Sequence, residues 1–104
     1  MIITVRTMQV APGKRGEAQD WTTRLAKYMR DKYPKHNFKL AEQVMGDHTI
    51  LAWIGEFDNL VAYEAHLDKT AADATFQEFV VEQRKKLLFT TEKSTTTGFR
   101  VLVG

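Results

Sequence analysis

The chain has 104 residues, 43% of them hydrophobic and 27% charged, which suits a single soluble domain with one core over residues 1–104. Its 15 basic and 13 acidic residues leave a formal charge of +2, without the concentrated basic face that nucleic-acid binding needs. The absence of cysteine excludes disulfides, thiolate metal sites and a cysteine nucleophile. No apolar run approaches the roughly 20 residues of a membrane span. Met1–Val5 reads as a strand and not as a signal segment, so the expected compartment is the cytoplasm.

Ile2–Val10 alternates loosely, with Ile3 and Val5 on one side and Ile2, Thr4, Arg6, Met8 and Val10 on the other. Pro12-Gly13 breaks this strand. From Lys14 to Tyr33 the period becomes helical, with Ala18, Trp21, Leu25, Tyr28 and Met29 on one stripe. Pro34 ends that helix, because a proline pushes the residue before it out of helical geometry. Phe38–Met45 is a second strand, and Gly46-Asp47 turns it into His48–Phe57 as an antiparallel hairpin. In this third strand Ile50, Ala52 and Ile54 share one face, and Leu51, Trp53 and Phe57 share the other. Both faces are apolar. Helices can cover one, and a second copy of the chain is the expected cover for the other, with Leu51 and Trp53 as interface-facing positions.

Asp58 or Asn59 caps a short helix, Leu60–Lys69, with Phe57 stapling its start. After a break at Thr70–Asp73, a further helix buries Phe76, Phe79, Val80, Gln83 and Leu87, with Thr75 and Glu78 as its capping box. Thr90–Thr97 reads as a polar loop into a last strand, Thr95–Val103. This order predicts an α+β fold of the ferredoxin-like plan: a four-stranded antiparallel sheet with helices on one face.

The Val10–Lys14 turn into the first helix and the stretch Ala52–His66, a strand ending in an aromatic followed by Asp58-Asn59-Leu60-Val61-Ala62-Tyr63, resemble the dimeric α+β barrel superfamily. That group includes antibiotic-biosynthesis-type monooxygenases, NIPSNAP-like proteins and stress-responsive A/B barrel domains. The resemblance covers nearly the whole chain. It implies a homodimer with two sheets face to face and, in some members, a small cavity between sheet and helices. It implies no single activity, since function lives in the site and not in the fold. Two branches are disfavoured. Haem degradation uses an Asn on strand one, a Trp on the short helix and a His on the next, where this chain has Arg6-Thr7, His66 and no His. The His-Pro-x-His of the A/B barrel domains is replaced here by Lys69–Asp73.

Tyr63 and His66 lie three apart on the short helix and so share a face. They form a candidate catalytic pair, in which an imidazole near neutral pKa beside a phenol accepts a proton from a bound ligand. The alternative is a packed Tyr63 and a solvated His66. Trp53 and Trp21 are candidate aromatic walls of a ligand pocket, or else plain core. Arg6, among apolar strand residues, either anchors an anionic ligand or pairs with Glu42 or Glu56. No histidine pair has metal-ligand spacing, no Gly-rich phosphate loop occurs, and Ser94, the only serine, lacks a nucleophile elbow, so neither metal nor cofactor is expected. Two functions follow. One is a homodimeric domain binding a small apolar or aromatic molecule between sheet and helices. The other is a cofactor-independent monooxygenase acting on a phenolic or quinol substrate.

Overall fold

The computed structural model describes residues 1–104, the side chains of 91–93 excepted. In chain order the elements are β1 (Ile2–Val10), α1 (Arg15–Lys32), a single 3-10 turn (Pro34–His36), β2 (Lys39–Glu42), β3 (Ile50–Phe57), α2 (Leu60–Ala71), α3 (Ala74–Lys86) and β4 (Phe89–Arg100). The strands form one antiparallel sheet in the order β2-β3-β1-β4, as the ferredoxin-like plan requires. Arg6 lies between Trp53 on β3 and Thr96 on β4.

The core forms on one side of this sheet. Ile2, Met8 and Val10 of β1 and Leu51 and Phe57 of β3 meet Ala18, Trp21, Leu25 and Met29 of α1. The opposite face, with Ile3, Val5, Ile50, Ala52 and Ile54, contributes nothing to the buried core and is only half-buried. Leu51 and Trp53 therefore face the helices, so they are not interface positions as the sequence suggested. Two apolar faces are indistinguishable by period alone, and the helices took the one carrying the larger side chains.

Several boundaries differ from expectation, chiefly at β4 and at the start of α3. β4 begins at Phe89, and the polar stretch read as a loop belongs to the strand. Threonine is β-branched and favours extended backbone. Its hydroxyls are satisfied across the ladder: Thr7 and Thr95 share a hydrogen bond of 2.6 Å, and Thr90 donates to Gln9 Oε1 at 2.9 Å. The strand stops at Arg100, short of the expected Val103. At α3 the cap is Asp73, whose Oδ1 accepts from the Phe76 amide at 3.1 Å, and not the Thr75–Glu78 pair. Asn59 caps α2, accepting from the Ala62 amide at 2.8 Å. Leu87 leaves α3 in the left-handed region, φ 52°, which aims buried Leu88 into the core. Among the described residues no helix is long and apolar enough to cross a membrane.

Candidate functional site

Between the sheet and the helices lies a cavity of about 840 Å³, and Arg6, Trp21, Trp53, Tyr63 and His66 all line it. Five residues from four elements thus converge on one space, the size of an ordinary small-molecule site. β1 and β3 supply alternate residues, Thr4, Arg6 and Met8 from the first and Trp53 and Phe57 from the second, and β4 adds Phe89 and Thr96. Phe38, just before β2, stacks on Trp53 with ring centroids 5.2 Å apart and planes at 17°. Gly55 makes this possible. A Cβ there would stand 2.7 Å from Phe38 Cε1, so only glycine lets the Phe38 ring lie along β3. Across the space Trp21 meets Phe89 edge-on at 5.5 Å and donates its indole N–H to the Phe79 carbonyl at 2.9 Å.

α2 presents Tyr63 and His66 to the Phe57 ring, at centroid distances of 5.1 and 5.4 Å. His66 is buried, 7% exposed, and ringed by Tyr33, His36, Phe38 and Phe57. Its Nδ1 is buried with no hydrogen-bond partner among the described residues. Burial, together with the electrostatic influence of nearby His36 and Lys69, pushes the imidazole pKa down to about 4. His66 is thus neither solvated nor poised near neutrality, and both sequence readings of it need correction. The aromatic shell disfavours the charged form. Tyr63 is half-buried, as a packing residue would be, yet it also lines the cavity.

Arg6 forms neither expected ion pair. Glu42 is bound by Arg15 at 2.9 Å, and Glu56 accepts from Asn37 at 3.0 Å. Arg6 instead donates from Nη1 to Thr96 Oγ1 at 3.1 Å and remains exposed. Among the described residues no group of three or more His, Asp or Glu is placed to hold a metal.

Sequence reading missed Asp73, the most heavily bonded side chain beside the site. Its buried carboxylate accepts from Tyr28 (2.6 and 2.8 Å), Tyr33 (2.7 Å) and Lys32 (3.2 Å), besides the α3 amide. Burial alone would raise its pKa. The two phenols, the Phe76 amide and Lys32 outweigh that and hold it well below the usual carboxylate range. Tyr33, partly desolvated and bonded to this carboxylate, is pushed up to about 12. An aspartate three residues before an aromatic at a helix start was the available signal for the cap. Nothing local signals the phenols, which come from 40 and 45 residues away.

By sequence the chain matches no family model and no curated protein. Solved structures do match. It is similar to a NIPSNAP domain protein of Burkholderia xenovorans (18% identity, TM-score 0.76, 97% of this chain and 94% of that one). A NIPSNAP family protein of Agrobacterium tumefaciens aligns at 16% identity and TM-score 0.78, over 96% and 84% of the two chains. A protein of Deinococcus radiodurans described as a putative antibiotic biosynthesis monooxygenase aligns at 16% identity and TM-score 0.69, over 100% and 95%. The resemblance expected from the sequence therefore holds at the level of the fold.

Proposed function

We propose that this chain, built on the fold shared with those NIPSNAP and monooxygenase structures, binds a small and largely aromatic molecule between sheet and helices. The observation that supports this best is the convergence of all five sequence-nominated residues on one cavity with aromatic walls. Flat aromatic groups stack and pack edge-on against such walls, with gains beyond burial alone. The unpartnered Nδ1 of His66 gives such a molecule a hydrogen bond that the protein leaves unmade. Thermal shift with a panel of planar aromatics tests the reading. Trp53→Ala should abolish whatever stabilisation the wild type shows, and a panel without any effect on the wild type rejects it.

The same reading holds that two copies associate through the open sheet face. Ile3, Val5, Ile50, Ala52 and Ile54 form an apolar surface with no helix over it. A stable dimer of this kind buries about 1,500–2,000 Å². Sedimentation should give a dimer at micromolar concentration and a monomer or aggregate for Ile54→Asp. A wild-type monomer ends the dimer reading.

A cofactor-independent monooxygenase is the second reading, favoured by Tyr63, His66, Trp53 and Arg6 facing one space. There a phenolic or quinol substrate supplies the electrons, and the protein supplies orientation and desolvation. Against it stands the imidazole pKa near 4. Taking a proton from a phenol near pKa 10 would be uphill by about 8 kcal/mol. His66 then serves as a hydrogen-bond partner and not as a resting base, which ranks binding first. Oxygen consumption with hydroquinones, wild type against His66→Ala, separates the two readings. No consumption by the wild type removes the oxygenase, and equal rates remove His66 from it.

A further inference from the structure

Arg6 is the cavity residue that the fold itself does not explain. Helix-facing positions on β1 are otherwise apolar or hydroxylic: Ile2, Thr4, Met8 and Val10. A guanidinium has five N–H donors in a planar fork. Among the described residues its side-chain partner is one threonine hydroxyl, and no carboxylate. A second arginine, Arg84 in the last turn of α3, lines the same cavity and is in no ion pair among the described residues. No Asp or Glu among the described residues lines the space at all. Among the described residues the site therefore combines two cations that have no carboxylate partner with an aromatic chamber and a buried imidazole.

We propose that the ligand is an amphipathic carboxylate, with its aromatic body between Trp21 and Trp53 and its carboxylate on the fork of Arg6. The proposal rests on the cavity being a binding site and adds the chemical class of what enters it. A planar guanidinium matches a carboxylate through two parallel hydrogen bonds, roughly twice as strong as neutral ones. Thr4 and Thr96, which also line the cavity, flank Arg6 with further hydroxyls. A phosphate dianion fits less well. The amides at the start of α3 already serve Asp73, and the end of α3 that carries Arg84 presents the negative pole of the helix. No glycine-rich phosphate loop is present in the sequence.

Calorimetric titration with naphthylacetate, its neutral amide and naphthyl phosphate, at neutral pH, tests this. Wild type should bind the acid about tenfold tighter than the amide, the ratio that one charge-assisted bond of about 1.4 kcal/mol produces. Arg6→Gln should erase that preference, so that acid and amide bind alike, while Arg6→Lys, which keeps charge without the fork, should retain only part of it. Arg6 is exposed on a strand, so these variants keep the core intact, and the acid-to-amide ratio of the wild type needs no variant at all. Equal binding of acid and amide by the wild type overturns the carboxylate while leaving the cavity reading in place. A preference that survives Arg6→Gln overturns Arg6 as the anchor. Tighter binding of the phosphate overturns the class. No binding of any of the three overturns both this proposal and the cavity reading beneath it.

Discussion

Tyr33 stands between two buried polar groups that the protein treats in opposite ways. Its hydroxyl donates to Asp73, a carboxylate with every approach filled by a phenol, an amide or an ammonium. The Tyr33 ring meets His66 edge-on at 5.1 Å, and His66 has a buried nitrogen with no partner. Buried polar groups are normally hydrogen-bonded, so the satisfied one is accounted for by stability, while the unsatisfied one costs stability and is the exception among the described residues. Asp73 fastens α3 to α1, whereas His66 lines a space left open.

The largest way to break this contrast is Asp73→Ala. It removes a helix cap and leaves two phenols short of an acceptor, which should cost about 3–4 kcal/mol in urea denaturation. A cost below about 1 kcal/mol would mean that Asp73 does not fasten α3 to α1. Next comes acid. His66 binds a proton near 6.5 when unfolded and only near 4 when folded, so the unfolded state holds more protons between those values. The contribution of His66 to stability should therefore fall as pH drops from 6.5 to 4, by on the order of 3 kcal/mol, and change little below. Asp73 is shifted in the same direction, and its contribution is lost only as pH falls below the ordinary carboxylate range. His66→Phe should flatten the slope and gain about 1 kcal/mol at pH 7, because the orphaned nitrogen is gone. An unchanged slope in that variant would detach the pH dependence from His66.

Tyr33→Phe divides the two regions most finely. Losing the hydroxyl should cost about 1–2 kcal/mol, while the ring stays against His66 and the acid slope persists. The smallest effect belongs to Arg24→Ala. Arg24 bridges Asp20 and Glu82, and with Lys86 it holds the Glu82 pKa down to about 2. The guanidinium is partly exposed, so the change should cost under about 1 kcal/mol. A cost as large as that of Asp73→Ala would mean that the α1–α3 clamp lies on the surface and not at Asp73.

The strand order and the membership of the cavity were legible because both follow from periodicity. Alternation puts Arg6 and Trp53 on definite faces, and a spacing of three puts Tyr63 with His66. What was not legible depends on where elements land. No period distinguishes Leu51's face from Ile50's until the helices settle on one. The threonines of β4 look like loop until Thr7 and Gln9 are opposite them. The low pKa of His66 needs rings from Tyr33, His36, Phe38 and Phe57, none of which is near it along the helix.

Gly55 carries one more consequence. Adding a single methyl there would lever the Phe38 ring off its strand and into the space beneath the helices. The free volume of this chamber is therefore governed from behind the wall, by the absence of one methyl group. Gly55→Ala should shrink it, and under the proposed binding role should shift preference toward slimmer molecules.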